Sequence, residues 1–174
     1  MLIFKDFLTK DEFLSDTFPY TLEYDGVIIK VKSSMKAPEE IGSIAGIDDE
    51  PQQNDGEAPK EKVVDVVYNA GLSQYNMSKK EYGAFMKEYM KKIMDKLQKE
   101  GKDENYIANF KKGAGAFFKF VCSNFDEVEL YTGTNGENED GELVGGLVVS
   151  IWEEGWEKGP VIYMFKDALI EEKC

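Results

Sequence analysis

The middle of the chain predicts two helices joined by a short break. Ser78 and Glu81 have the spacing of a capping box, which satisfies free backbone N–H groups at the start of a helix. Apolar residues then recur at helical spacing on one face: Tyr82, Phe85, Met86, Tyr89, Met90, Ile93 and Leu97. Gly101 ends this pattern, and Asp103 can cap a second helix. Its apolar stripe is Tyr106, Ile107, Phe110, Phe117, Phe118 and Val121. Two helices with a short connection predict an antiparallel hairpin over about residues 78–123.

Strand patterns flank this hairpin on both sides. Before it, Asp25-Gly26 lies between two β-rich runs and predicts a β-hairpin, because a type I′ turn needs positive φ at both central residues. Residues 9–12 predict a turn. The segments with strand patterns are residues 2–8, 20–24, 27–32, 127–132, 142–153 and 161–165. Since single strands do not alternate with single helices, the sequence predicts an α+β fold with antiparallel or mixed sheets.

A long segment between the first strands and the hairpin has no periodicity. Residues 36–62 contain Pro38, Pro51 and Pro59 among many acidic, amide and glycine residues. This composition predicts a flexible acidic loop. The rest of the chain is of a size to bury one core, so residues 1–174 are interpreted as a single domain.

The composition excludes several classes of function. The chain has no histidine, and its 21 basic residues are all lysines. This removes Ser-His-Asp and Cys-His catalysis, histidine metal sites and bidentate guanidinium contacts, although carboxylate or lysine chemistry stays open. A net charge of −13 argues against nucleic-acid binding. Neither a signal peptide nor a membrane span is predicted. Two cysteines without a CxxC pair indicate a reducing compartment, so we expect a cytoplasmic protein.

The charge is distributed unevenly along the chain. Residues 78–120 contain 11 lysines and 6 acids, a net charge of +5, and the remainder carries −18. One interpretation is a solvated helix face coated with lysines. The other is a docking surface for an acidic partner.

Several short segments resemble one known protein family in order along the chain. At the N-terminus these are Leu2-Ile3-Phe4-Lys5-Asp6, Asp11-Glu12 and Asp25-Gly26; in the hairpin, Ser78-Lys79-Lys80-Glu81-Tyr82 and Glu88-Tyr89-Met90-Lys91; and towards the C-terminus, Asn124-Phe125-Asp126, Leu130-Tyr131-Thr132-Gly133 and Phe165-Lys166-Asp167-Ala168-Leu169. On these segments the chain resembles the translationally controlled tumour protein (TCTP) family. It departs from the family at Thr134, where the family usually has Gly-Glu after the aromatic strand. It also has Thr21 where relatives that bind apoptosis regulators carry arginine.

The resemblance implies a fold and a set of partners. The fold is β-tent-like, related to the Rab-exchange accessory factors, with a projecting helical hairpin. The implied roles are calcium binding, tubulin or microtubule binding, and regulation of a Rheb-type small GTPase. Glu12 matches the family position implicated in GTPase contact. The hairpin lysines that the family associates with tubulin are Lys79, Lys80, Lys87, Lys91, Lys92 and Lys96. The alternative is a β-tent enzyme of the methionine sulfoxide reductase type that uses Cys122 or Cys174.

Acidic side chains in loops are the candidates for calcium. They are Asp48, Asp49, Glu50, Asp126, Glu127 and Glu129, and none has an ordered ligand spacing. We therefore expect weak binding, towards the millimolar range, and no tightly bound cofactor. Cys122 lies on an apolar helix stripe and is interpreted as a small hydrophobic residue. Cys174 ends the printed sequence and is expected to be exposed, which predicts a reduced monomer and a Cys174-linked dimer on oxidation.

Overall fold

Antiparallel strands from both ends of the chain form the sheets, and two long helices from its middle pack on one face of the larger sheet. The computed structural model describes residues 1–41 and 61–173. Their strands are β1 Leu2–Asp6, β2 Glu12–Ser15, β3 Tyr20–Glu23, β4 Ile28–Lys32, β5 Met35–Lys36, β6 Val63–Val64, β7 Ser73–Gln74, β8 Glu129–Thr132, β9 Val148–Glu153, β10 Trp156–Phe165 and β11 Leu169–Lys173. Their α-helices are α1 Asp65–Ala70, α2 Lys79–Lys99 and α3 Glu104–Ser123, and single 3-10 turns occupy Pro38–Glu40, Phe125–Glu127 and Lys166–Ala168. The predicted α+β class is confirmed.

The strands form two main sheets. The larger has six strands in the order β3-β4-β10-β9-β8-β7, and every pairing is antiparallel. The smaller sheet has the order β11-β1-β2, so the strand at the start of the chain pairs with one near the end. A short ladder between β5 and β6 joins the two sides of residues 42–60, which lie outside the described residues.

The predicted helical hairpin is present with the expected caps. The Ser78 hydroxyl accepts from the Glu81 N–H at 3.1 Å, and the Glu81 carboxylate accepts from the Ser78 N–H at 2.8 Å. The Asp103 carboxylate accepts from the Tyr106 N–H at 2.8 Å at the start of α3. Between the helices Gly101 has a φ of 82°, a left-handed conformation that costs glycine little.

The larger sheet separates two apolar layers. On one face the buried sides of α2 and α3 pack against β4, β9 and β10, with the Phe117 ring 5.7 Å from Phe165 and 5.5 Å from Tyr163 between centroids. On the other face the smaller sheet and α1 bury a second cluster that includes Phe4 and Phe13. The fold is therefore three-layered, with helices on one side of a sheet and a second sheet on the other.

The predicted β-turn is confirmed in detail. Asp25 and Gly26 have φ values of 61° and 85°, and the Val27 N–H donates to the Tyr24 carbonyl at 3.1 Å. This is the positive-φ geometry that the Asp-Gly pair predicted between β3 and β4.

Other boundaries differ from the sequence-based expectations. The strand predicted for residues 142–153 begins only at Val148, because Gly145 and Gly146 lie against other parts of the chain. The predicted strand 127–132 begins at Glu129, after a 3-10 turn, and the strand predicted for residues 2–8 ends at Asp6. The loop predicted over residues 36–62 is shorter at its first end, since Lys36 belongs to β5 and pairs with Val63. Six of the strands and α-helices were not predicted: β2, β5, β6, α1, β7 and β11.

Candidate protein-interaction surfaces

A buried carboxylate organises the turn that follows β1. Asp6 is fully buried and accepts hydrogen bonds from the Gly146 N–H at 2.8 Å, the Leu8 N–H at 3.1 Å and the Thr9 hydroxyl at 3.1 Å. Burial raises the pKa of Asp6 above its usual value, Asp11 adds to this as a second negative charge, and the three donors oppose it. The turn is thereby attached to the glycine-rich segment before β9.

Asp11 forms the second half of this polar cluster. Its carboxylate accepts from the Asn135 N–H at 2.8 Å, the Asn135 side-chain amide at 2.7 Å and the Thr9 hydroxyl at 2.8 Å. A Cβ atom at Gly133 would lie 2.5 Å from Asp11, so this close approach requires glycine. The loop after β8 and the loop after β1 are thus held together by side-chain hydrogen bonds.

Glu12 follows this cluster as the first residue of β2. It is opposite Lys5 of β1 and is partly exposed. Its carboxylate makes no hydrogen bond or ion pair with any residue in ranges 1–41 and 61–173. Lys5 itself is ion-paired with Glu172 of β11. The structure therefore presents Glu12 as an uncommitted charge beside a firmly held turn.

The polar cluster also contacts the first long helix. Tyr89 of α2 is buried, and burial together with the nearby Asp6 charge raises the pKa of its hydroxyl well above the usual value. Gly146 leaves room for this hydroxyl, since an added Cβ would overlap it. The turn before Glu12 and the helix that carries all six candidate lysines therefore form one connected structure.

Five of the six candidate hairpin lysines fall into two groups, and Lys79 stands apart from both. Lys80, Lys87 and Lys91 are exposed at intervals of seven and four residues, which places them along one outer face of α2. Lys79 is exposed at the first turn. Lys92 and Lys96 instead border a shallow cleft with Phe7 and Leu8.

Lys96 is the most engaged of the six. Its side chain is only 19% exposed and its ammonium lies 2.9 Å from the Glu100 carboxylate. The ammonium is also 6.0 Å from the centre of the Phe7 ring. Lys96 therefore stabilises the end of α2 within the chain, which leaves Lys80, Lys87 and Lys91 as the clearest docking face.

The three candidate calcium ligands that lie in the described residues do not form a cage. Asp126 and Glu127 are exposed in a 3-10 turn, and Glu129 at the start of β8 accepts from the Gln74 amide at 3.3 Å. Asp48, Asp49 and Glu50 lie outside the described residues. Within residues 1–41 and 61–173, no group of three or more acidic or cysteine side chains is arranged to hold a metal ion.

The two cysteines are in different situations. Cys122, near the end of α3, is partly buried and packs against the helix-side core. Cys174 lies outside the described residues, directly after the last residue of β11. None of the helices in the described ranges combines the length and apolar character that a membrane crossing requires.

Sequence reasoning proposed Glu12 and the hairpin lysines as candidates but did not predict the hydrogen-bonded cluster behind Glu12. Asn135 and Gly146 are distant in sequence from Asp6 and Asp11 and reach them only through the sheet topology. The available signal was the density of glycines at positions 133, 136, 145 and 146, which indicates close approach of backbone to other groups.

Comparisons with known proteins agree with the fold. The model of the family described as "Translationally controlled tumour protein" matches residues 1–170. A "Translationally-controlled tumor protein homolog" of Alternaria alternata is 34% identical over 168 residues, covering 91% of this chain and 98% of the relative. A homolog of Theileria annulata is 30% identical over 180 residues, covering 99% of both chains.

Two solved structures extend this similarity to three dimensions. The Schizosaccharomyces pombe "Translationally Controlled Tumor-associated Protein p23fyp" has a TM-score of 0.74 at 28% identity, with both chains covered completely. The "Translationally-controlled tumor protein (TCTP)" of Caenorhabditis elegans has a TM-score of 0.70 at 26% identity, and the match covers 100% of this chain and 99% of that one.

Proposed function

This chain belongs to the translationally controlled tumour protein family, and from this premise we propose that it is a non-catalytic, cytoplasmic protein-binding module. Proteins of the family are not known as enzymes, so the sulfoxide reductase alternative is not favoured. The observation that carries the proposal is the outer face of α2. Three lysines project there from a helix whose opposite face is buried in the core.

The proposed partner of this face is tubulin. Its surface is acidic, and an acidic protein with a local basic face would be guided to it by electrostatic attraction. The remaining surface, with its large negative charge, would favour one orientation of approach. Because Lys80, Lys87 and Lys91 are exposed, their charges can change without disturbing the core.

A charge-reversal experiment tests this assignment. We expect Lys80→Glu, Lys87→Glu and Lys91→Glu together to weaken cosedimentation with microtubules by at least about ten-fold, and wild-type binding to weaken as salt rises. The matched control is Lys111→Glu, Lys112→Glu and Lys119→Glu, which makes the same charge change at exposed positions of α3. Equal loss in both triple variants would show that net charge, and not the α2 face, determines binding.

A second candidate function rests on Glu12. The Glu12 carboxylate has no partner among the described residues and follows a turn that is held by hydrogen bonds. It is therefore suited to compete for the magnesium ion or the P-loop lysine of a nucleotide-bound GTPase. The Asp6 and Asp11 hydrogen bonds support this proposal because they keep the turn in place without using the Glu12 charge.

Nucleotide release from a purified Rheb-type GTPase tests this function. We expect Glu12→Gln to abolish any acceleration of release while leaving the melting temperature nearly unchanged. Asp16→Asn is the matched control, since Asp16 is exposed just beyond β2 and carries the same charge. If wild type does not accelerate release, or if both variants lose the effect equally, Glu12 has no special role.

Calcium binding is proposed as weak and secondary. The exposed carboxylates of Asp126 and Glu127 give two oxygen-rich side chains without a preformed cage, which supports affinity near the millimolar range. Amide NMR titration measures this directly, and submicromolar affinity would contradict it.

A further inference from the structure

A cleft in the described part of the chain lies away from both proposed surfaces. It has a volume of about 660 Å³ and lies where β3 and β4 approach the β5–β6 ladder. Its lining includes the segment Thr17 to Thr21, together with Lys30, Lys32 and Trp156. This volume is within the range of ligand-binding clefts.

Trp156 is a fixed wall of this cleft. Its indole N–H donates to the Ser33 carbonyl at 2.7 Å. The ammonium groups of Lys32 and Lys158 lie 5.4 Å and 5.5 Å from the ring centre. These contacts hold the ring and place positive charge beside an apolar surface.

The lysines of the cleft can exchange their present carboxylate partners for those of a ligand. Lys30 lies 3.7 Å from Glu153, and Lys36 lies 3.8 Å from Asp65, both longer than a charge-assisted hydrogen bond of about 2.7–2.9 Å. Lys32 forms no ion pair within the part of the chain that the structure describes.

The acids that line the cleft are already engaged. The Asp65 carboxylate is buried and accepts from the Ser34 and Val66 N–H groups. The Glu23 carboxylate accepts from the Thr21 hydroxyl at 3.2 Å. The cleft is lined by three lysines, Lys30, Lys32 and Lys36, and by two acids, Glu23 and Asp65. The lysines are therefore the charged groups with which an incoming ligand can pair.

The spacing of two lysines specifies the occupant. Lys30 and Lys32 are two residues apart on β4, so their side chains leave the same face of the strand. Alternate residues of an extended peptide are about 6.6–6.8 Å apart, which is the same repeat. A peptide in this cleft can therefore bring two acidic side chains, separated by one residue, to the two lysines. An inorganic anion would fill only a small part of the volume.

We propose that this cleft binds an acidic peptide segment of a partner protein in extended conformation, with acids at alternate positions on Lys30 and Lys32 and an apolar side chain against Trp156. Apart from the lysine-rich residues 78–120, the chain outside the cleft is strongly acidic, so its negative charge repels acidic side chains that miss the cleft lysines. The site is separate from Glu12 and from the lysines of α2.

The test compares two peptides of identical composition. Ser-Glu-Ser-Glu-Ser-Phe has its acids at alternate positions with the phenylalanine on the same face of the extended chain, whereas Ser-Glu-Glu-Ser-Ser-Phe has the acids adjacent, and both are acetylated and amidated. Each is titrated into the full chain while the amide and tryptophan indole NMR signals are recorded. We expect saturable binding of the first peptide, with shifts at Lys30, Lys32 and the Trp156 indole, and at least about five-fold weaker binding of the second.

Variants of the chain complete the experiment. Lys30→Gln with Lys32→Gln is expected to weaken binding by at least about ten-fold, and Lys111→Gln with Lys112→Gln, a matched change on α3, by less than about two-fold. Lys32→Gln alone is the milder variant, because it leaves the Lys30 contact to Glu153 intact. Absence of saturable binding, equal affinity for both peptides, equal loss in the two double variants, or shifts centred on α2 would each overturn the proposal.

Discussion

Asp6 shows how a single buried carboxylate determines local structure and responds to pH. It has three hydrogen-bond donors, yet its burial and the nearby Asp11 charge raise its pKa. A carboxyl group whose pKa is higher in the folded state binds its proton more tightly there. Its contribution to the free energy of unfolding is therefore fully present below the unfolded pKa and is lost as pH rises through the folded pKa.

The raised pKa of Asp6 makes the free energy of unfolding depend measurably on pH. Relative to Asp6→Asn, which has no titrating group at this position, wild type is expected to lose stability as pH rises from the usual value of 3.8 to the raised pKa. Urea unfolding of both proteins across this window measures the difference, and a constant offset from altered hydrogen bonding does not affect its slope. A difference that grows in favour of wild type as pH rises would contradict the raised pKa.

Sequence reasoning proposed Glu12 as a candidate residue but did not predict the residues that hold the turn before it. Glu12 stands next to a predicted turn, which is local information. Its support comes from Asn135 and Gly146, which reach the turn only after the sheets have formed. Side-chain hydrogen bonds between distant segments leave no periodic pattern, so their partners could not be inferred.

Among the elements, α3 contains two glycines with opposite roles. At Gly113 a Cβ atom would lie 2.5 Å from the Tyr24 carbonyl oxygen and 2.5 Å from a Val27 methyl, so the helix needs glycine to approach the β3–β4 turn. At Gly115 nothing lies within 4 Å of such an atom. One glycine permits close packing, and the other only lowers helix propensity.

We therefore expect two alanine substitutions in one helix to change stability in opposite directions. Gly113→Ala should destabilise by about 1–3 kcal/mol through overpacking against backbone. Gly115→Ala should stabilise by about 0.5–1 kcal/mol, because alanine is the better helix former. Thermal and urea unfolding check both, and each variant is the other's control. Stabilisation by Gly113→Ala would show that the helix can move away from the turn at little cost.

The elements predicted correctly are those with local signals. The caps and apolar stripes predicted the ends of α2 and α3 almost to the residue, and the Asp-Gly pair predicted the turn between β3 and β4. The missed β7 has two exposed residues, and β11 ends in Glu-Glu-Lys without apolar alternation. Both exist because a partner strand from elsewhere in the chain pairs with them.

For the whole molecule, the position of the two thiols predicts how it self-associates. Cys122 is partly buried in the helix-side core, and Cys174 follows Lys173 at the end of an edge strand. We expect a monomer under reducing conditions and a disulfide-linked dimer under oxidising ones, lost in Cys174→Ser and kept in Cys122→Ser. Light scattering and non-reducing electrophoresis distinguish these states. A dimer that survives in Cys174→Ser would refute the assignment.

The pairing of β1 with β11 has a consequence for synthesis. A ribosome makes β1 long before β11, so one edge of β1 stays without its partner until β11 has emerged. The same delay applies to β4, which waits for β10 at the middle of the larger sheet. Such non-local pairings fold slowly and leave strand edges open to wrong partners. The nascent chain therefore depends on the earlier α2–α3 hairpin for structure, and the two sheets close only after β10 and β11 have been made.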